Sequence, residues 1–439
     1  MLTLDHLKVA RIEGRRVRSP LKLSTARGDG LGDFVADEAR VRFQVVLLPG
    51  EEARDDLLFE KAGPREFLCF PPRETRAAIV TCGGLCPGMN NVIRSLFYAL
   101  SHNYGIGEIL GIRYGFRGFN TSHGIPPVRM TPAYVENIHK HGGTALGSSR
   151  GPEDPRVIVD FLEKGKIQLL FCIGGDGTQR GAHTIYEESR RRGFPLSVVG
   201  IPKTIDNDIL YVWQTFGFST ALEKARDFIG SAHEEARGAP NGVSIVKVMG
   251  RDAGFIAAGA TLASQEVNFT LIPEVSFELD GPGGFLEVLK QRVLDRKHAV
   301  IVVAEGAGRN LLGGPVGCDA SGNPKYPDVG IFLRNAIAAF FERSGIPLNL
   351  RYFDPSYLIR SAPANIDDSL LCDQLARNAA HAALAGKTDV LIGYWHNTYI
   401  HVPIPTAIAG KKQVGPESEL WASVLAATGQ PSRFGEAPG

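Results

Sequence analysis

From Arg76 onward, short β-branched runs alternate with stretches whose apolar residues recur every three or four positions. AAIVTC precedes a helical pattern near 89–101, EILGIRY one near 156–164, LLFCI one near 180–192 and LSVVGIP one near 219–236. VSIVKVM, a helix near 253–263, NFTLIPE, a helix near 283–296 and HAVIVVAEG continue the alternation. Strand, loop and helix in repetition predict parallel sheets covered on both faces, because a parallel partner needs a crossover and the crossover helix lies on the sheet. Two such sheets fit the length. Ahead of them, residues 1–75 are polar and mixed, carry one strand-like run, VRFQVVLLP, and close on the turn Phe70-Pro71-Pro72. They predict a distinct lobe or an oligomer arm.

Composition adds exclusions. A chain of 439 residues with 44% hydrophobic residues can bury sizeable cores. Lys+Arg 48 against Asp+Glu 47 leaves a formal charge of +1, so no global field favours nucleic acid or an anionic membrane. Any anion must be recognised locally. Six cysteines without a framework of spacings suit free thiols in a reducing compartment. Cys82 and Cys86 form a C-x3-C with no second ligand pair, which reads as loop or core thiols ahead of zinc. Apolar runs such as AVIVVA at 299–304 are too short to span a bilayer. The start lacks a signal-peptide apolar region and the end, FGEAPG, carries no address, so the expected location is cytoplasmic. Arg190-Arg191-Arg192, at a helix end before Gly193, reads as a solvated cap.

In open parallel sheets ligands bind beyond the carboxyl ends of the strands, so the residues after each apolar run carry the chemistry. AAIVTC is followed by GGLCPGMNN, LLFCI by GGDGTQRG, SVVGIP by KTIDNDI, SIVKV by MGRDAG and AVIVVA by EGAG. Two of these are glycine-rich entries into helices, where backbone N–H groups suit phosphate oxygens. Two contribute acids and one an arginine. The combination reads as phosphoryl transfer, which needs amides and cations on phosphates, a carboxylate for magnesium and an acid to take the hydroxyl proton. Asp176, bracketed by Gly175 and Gly177, can approach a metal without a neighbouring side chain intruding. Asp206 and Asp208 can lie on one side of an extended loop, with Lys203 offsetting their repulsion and keeping Asp206 ionised. The AGKT at 385–388 fails as a P-loop, since His381 stands where the pattern needs glycine and the segment follows a helix.

Taken in order, TCGGLCPGMN, LGSSR, GGDGTQRGA, PKTIDND, MGRDAGF, AEG and RYFDPSYLIR resemble the 6-phosphofructokinase family from about Arg76 to about Pro405. GIPKTIDNDI, FEKAGPRE and DPSYLIR look most like its ATP-dependent branch with plant and trypanosomatid enzymes. The resemblance implies an α/β fold with two Rossmann-like parallel-sheet domains of the phosphofructokinase type. They would comprise a nucleotide-phosphate domain at 76–215, with part of the chain free to cross between lobes, and a sugar-phosphate domain at 216–405, between an N-terminal extension at 1–75 and a C-terminal segment at 406–439. It also implies Mg²⁺, ATP as co-substrate, fructose 6-phosphate as acceptor and a homo-oligomer, dimer or tetramer, with no nucleic-acid or membrane partner.

Residue by residue, the resemblance assigns Gly83, Arg150, Gly175, Asp176, Gly177, Thr178 and Lys203 to the donor phosphates, with Asp176 as the magnesium carboxylate. It makes Asp206 the base, with Asp208 beside it, and Arg251 a stabiliser of charge on the transferring group. Thr204, Met249, Gly250, Arg251 and Glu305 would meet the sugar, and Arg351 and Arg360 its distal 6-phosphate. Tyr357 stands where the best-known bacterial enzymes have a histidine, which reduces it to a neutral hydrogen bond. Gly242 replaces an arginine that those enzymes present from a neighbouring subunit. Lys203 is typical of pyrophosphate-using relatives, whereas Gly177 replaces the second aspartate such relatives usually carry and favours ATP. Pyrophosphate as donor and a catalytically silent regulatory subunit are the alternatives, and the intact Asp176, Asp206 and Asp208 argue against the second.

Overall fold

The β-branched runs become strands where both faces are covered, and one of them, Ile167–Gly174, is buried almost throughout. The computed structural model describes residues 2–435 apart from 15, 48, 51, 53 and 319–323. The chain divides into two units. The first comprises Met1–Thr204, Ile209–Gly217 and Ala362–Gly410, and the second Ile205–Asp208, Phe218–Ser361 and Lys411–Gly439. This differs from the consecutive segments expected at 76–215, 216–405 and 406–439. Residues 362–410 return to the first unit because Val390–Trp395 pairs with Ser197–Pro202, and a partner so distant along the chain leaves no local signature.

The first unit is built on a nine-stranded sheet in the order Arg40–Arg42, Leu58–Lys61, Thr398–Pro403, Val390–Trp395, Ser197–Pro202, Ile167–Gly174, Arg76–Thr81, Glu108–Ile112, Val128–Arg129. Val390–Trp395 through Glu108–Ile112 run parallel, as the alternation predicts, and the strands at both edges are antiparallel. Helices Pro155–Lys164 and Asp176–Arg191 pack together, as do Met89–Tyr98 and Ile366–Leu384. Asp154 and Asn365 cap two of these by accepting from the amides of Arg156 and Asp368. The run at Arg190–Arg192 does more than cap a helix in water: Arg192 reaches Glu188 at 2.6 Å and Asp160 at 2.5 Å, tying its helix to Pro155–Lys164.

The leader is part of this unit and not the distinct lobe expected. Ala10–Arg11 pairs with Lys387–Thr388, Val17–Arg18 with Phe67–Leu68, and Arg40–Arg42 and Leu58–Lys61 extend the main sheet. Of VRFQVVLLP, Val41 and Arg42 are in a strand, because the register with Leu58–Lys61 ends at Arg42, and Val45, Val46 and Leu47 stay exposed, while residue 48 lies outside the described residues. Buried charge fastens the leader. The Glu60 carboxylate receives Lys387 at 2.6 Å, Arg11 at 2.9 Å, His401 at 3.1 Å and Arg65 at 3.3 Å. Burial would raise this carboxyl, but the His401 hydrogen bond and the Lys387 ammonium outweigh it and hold Glu60 far below the usual range. Lys387, only 1% exposed, is therefore a structural cation, in keeping with the failed P-loop pattern at 385–388.

The second unit carries a four-stranded parallel sheet in the order Phe269–Leu271, His298–Ala304, Gly242–Val248, Asn349–Phe353. Helix Phe218–Arg237 lies against its centre. A Cβ on Gly242 would fall 2.0 Å from the Ala236 carbonyl oxygen, so the helix end and the strand approach too closely for any side chain there. Phe434 packs edge-on against Phe285 at 5.3 Å and joins Phe269 and Phe277, so the end of the chain belongs to this core.

Replacing Glu60 by alanine leaves the buried Lys387 and Arg65 with the half-exposed Asp37 as their one shared carboxylate and should cost ~3–5 kcal/mol, read as a lowered urea midpoint. A depressed carboxylate contributes stability above its unfolded pKa, so the gap between parent and variant should shrink as pH falls below about 4.5.

Candidate active site

In the first unit, register brings three strand ends side by side: Thr81 pairs with Ile173, and Gly174 with Pro202. The chain keeps this spacing one step beyond the sheet. The Cys82 amide donates to the Ile173 carbonyl at 3.0 Å and the Lys203 amide to that of Gly174 at 3.1 Å. Gly83 then turns with φ +85°, a conformation that favours glycine. Its amide donates to the Ser149 carbonyl at 3.0 Å, and the Ser148 hydroxyl donates to the Gly83 carbonyl at 2.6 Å. The Lys203 ammonium, in a residue only 6% exposed, donates to the Gly84 carbonyl at 2.9 Å. A Cβ on Gly84 would lie 3.4 Å from the Arg150 guanidinium, so Gly83, Arg150 and Lys203 converge. Cys82 and Cys86 are buried thiols, and burial pushes Cys82 up to about 12.

Asp176 opens helix Asp176–Arg191, which starts four residues earlier than the pattern near 180–192 suggests. The acid is thus at a helix start, where unpaired amides and the helix dipole favour negative charge. Gly174 admits the Thr178 side chain: a Cβ there would meet its hydroxyl oxygen at 2.1 Å. Thr178 is buried accordingly, turned inward. A Cβ on Gly175 would crowd the Lys203 carbonyl at 3.2 Å, whereas one on Gly177 would meet nothing within 4 Å. Arg180 holds the Asp176 carboxylate at 3.2 Å. One carboxylate beside open space fits Mg²⁺, which keeps its waters and takes phosphate oxygens in place of an all-protein cage. Among the described residues no group of three acidic, His or Cys side chains forms such a cage.

The second unit contains Ile205–Asp208. Burial alternates from Lys203 to Ile209, leaving Thr204, Asp206 and Asp208 partly open, while Asn207 takes φ +54°. The two acids therefore share a side, as their spacing predicts. Asp206 is not kept ionised in the expected manner. Desolvation, then the charges of Asp208 and Glu305, push it up to about 7 against the pull of the Lys411 ammonium and an Arg251 backbone bond. Lys203 belongs to the first unit, and Lys411 supplies the opposing charge in the second, 3.3 Å from Asp208. Burial presses the adjacent Lys412 ammonium down to about 7.

Beyond Gly242–Val248, Met249 is buried and Gly250 has φ +127°, where a Cβ would strike the Ala253 carbonyl at 2.5 Å. The Glu305 amide donates to the Val248 carbonyl at 2.9 Å and the Gly306 amide to that of Gly250 at 3.0 Å, which sets Glu305 beside the Met249-Gly250-Arg251 turn. Arg309 fastens this turn by donating to the Arg251 carbonyl and, at 2.8 Å, to Asp252. Arg351 lies inside strand Asn349–Phe353 opposite Ser244, with its side chain exposed. Arg360 ends the short helix Ser356–Arg360 and covers the ring of Tyr357, itself 72% exposed, at 4.3 Å. The strap between them is pinned by Asp354, which receives Lys247 at 2.8 Å, and Lys247 also donates to Asp328. Lys247, Asp252, Arg309 and Lys411 escaped sequence reasoning, because an isolated charge looks like any solvated one until its partner is known.

The family model for phosphofructokinase matches residues 76–383, and the chain belongs to that family. It is 47% identical over 411 residues to the ATP-dependent 6-phosphofructokinase of Borreliella burgdorferi, covering 92% of each chain. It is 46% identical over 451 residues to the chloroplastic ATP-dependent 6-phosphofructokinase 5 of Arabidopsis thaliana, covering 98% of this chain and 84% of that one. Among solved structures, the pyrophosphate-dependent phosphofructokinase of Marinobacter aquaeolei superposes with a TM-score of 0.67 at 22% identity, over 83% of this chain and 92% of that one. That likeness bears out the fold.

Lys247→Met should leave Asp328 and Asp354 without their cation and cost ~1–3 kcal/mol of stability, read as a lowered urea midpoint, as expected when a charged hydrogen-bond partner is removed. An unchanged midpoint would show that Asp354 is held by its own strap.

Proposed function

We propose that this chain transfers the γ-phosphoryl group of ATP to the 1-hydroxyl of fructose 6-phosphate, giving fructose 1,6-bisphosphate and ADP in glycolysis, as an ATP-dependent 6-phosphofructokinase. The observation that carries the reading is Asp206, a desolvated carboxyl pushed up to about 7 beside Asp208 and Glu305, in a chain 47% identical to an enzyme of that name. A base poised near neutral pH combines a usable deprotonated fraction with enough basicity to take a proton.

The donor phosphates are assigned to Gly83, Arg150, Gly175, Gly177 and Lys203 of the first unit, with Thr178 supporting the turn from within. Magnesium, held through Asp176, supplies charge neutralisation on those phosphates. In the second unit Asp206 takes the proton of the 1-hydroxyl as its oxygen bonds to the γ-phosphorus and the bond to ADP breaks. Arg251 stabilises charge on the transferring group, and Asp208 fixes the local field. Thr204, Met249, Gly250 and Glu305 meet the sugar, and Arg351, Arg360 and Tyr357 its 6-phosphate, a task suited to guanidinium groups. A homo-oligomer, dimer or tetramer, is the expected assembly. A cytoplasmic location accords with six free cysteines, and among the described residues no helix is long and apolar enough to cross a membrane.

Open space at Gly177 supports ATP as donor. An aspartate there would place a carboxylate against the α-phosphate, and like charges so placed cost several kcal/mol. Gly177→Asp should therefore lower kcat/KM for ATP by ~10²-fold or more. Assaying parent and variant with ATP and with pyrophosphate tests this, and a parent that prefers pyrophosphate would reverse the donor.

Asp206→Asn keeps the shape and removes the base. It should lower kcat by ~10²- to 10⁴-fold with a much smaller change in KM. Near-normal turnover would take Asp206 out of the mechanism.

A further inference from the structure

Residues 411–414 lace the acid segment to the turn after Gly242–Val248. The Lys411 ammonium lies 3.3 Å from Asp208 and 2.5 Å from Asp252. The Lys412 amide donates to the Asp208 carbonyl at 2.9 Å, the Gln413 side chain to the Asp252 carbonyl at 2.9 Å, and the Val414 amide to Glu274 at 2.8 Å. Glu274 in turn accepts from the Gly254 amide at 2.9 Å. This strap lies beyond the matched family region, which ends at residue 383.

We propose that Lys411 is a positioning residue for the transfer: its ammonium, held between the Asp208 and Asp252 carboxylates, fixes Asp208 and offsets the negative field at Asp206. The inference rests on Asp206 being the base.

A lone surface ion pair would carry little, but this ammonium is anchored three ways. It has two carboxylate partners at once, the next residue's amide is bonded to the Asp208 carbonyl, and Arg309 holds the far oxygen of Asp252 at 2.8 Å. Burial would raise Asp252, yet Lys411 and Arg309 outweigh it and hold this acid below the usual range. Lys411 is itself kept charged: desolvation disfavours the ammonium, but Asp208 and Asp252 raise its pKa. The groups acting on Asp206 within this unit are Asp208 on its own segment, Glu305 after His298–Ala304, and Lys411 on the strap, with an Arg251 backbone bond. Lys412 adjoins Asp208, and Asp252 and Arg309 lie behind Lys411. Removing the ammonium takes away the cation that opposes Asp208 and Glu305 at Asp206. The carboxyl then gives up its proton only at higher pH.

The test uses the full chain, with kcat/KM for fructose 6-phosphate measured across pH at saturating ATP, beside thermal melting. For Lys411→Gln the acid limb should move up by about one pH unit, with activity at neutral pH falling ~5-fold and recovering at alkaline pH. Lys411→Arg should keep the parent limb. Asp252→Asn removes an opposing negative charge, so its limb should move down. A Lys411→Gln limb that coincides with the parent's would overturn the proposal, whatever the melting temperature does. Should that variant fail to fold, an Asp252→Asn limb that stays or moves up would overturn it equally. A parent without turnover would instead defeat the reading of Asp206 as the base.

Discussion

Parallel register is the constraint on which the first unit's chemistry depends. Parallel strands end on one edge, so Thr81, Gly174 and Pro202, far apart in sequence, finish side by side. The loops leaving these strands are then brought together by the sheet, and contacts such as that of Lys203 with the Gly84 carbonyl follow from it. The turn at Gly83, the helix start at Asp176 and the Lys203 side chain are consequences of that edge. The same principle sets Glu305 beside the Met249-Gly250-Arg251 turn in the second unit, through the bond from the Glu305 amide to the Val248 carbonyl.

Two acidic residues show how one chemical group serves opposite ends. Glu60 lies among Lys387, Arg65 and Arg11, and its ionised form is secured. Asp206 lies near Asp208 and Glu305, where its ionised form is disfavoured. Both are desolvated, so burial does not separate them. The sign of the neighbouring charge does. The first arrangement fastens the leader to the sheet, and the second leaves a carboxyl able to exchange a proton near neutral pH.

Much of the fold was legible in the sequence. The alternation from Arg76 to Gly306 marks the parallel strands and their helices, and the elements near 219–236, 253–263 and 283–296 appear as Phe218–Arg237, Phe255–Ser264 and Phe285–Arg296. The helix after GGD begins early because glycine hides the apolar period while leaving room for the Thr178 side chain. The leader misled for another reason. Its strands are two to four residues long, too short for a period, and are stabilised by partners elsewhere in the unit.

By itself the sequence determined which residues come after each strand: glycines, one acid after LLFCI, two acids in TIDND and an arginine in MGR. These are local facts, written in adjacent residues, and the spacing of the two acids already puts them on one side. Only the tertiary structure decided what each charge faces. Lys387, in a partial nucleotide motif that its own spacing rejects, is bound to Glu60, whereas Lys411 reads like a solvated cation and lies against Asp208 and Asp252. The reason is physical: Coulomb interaction and desolvation depend on distance in space, and chain folding brings together charges from segments that no sequence spacing connects.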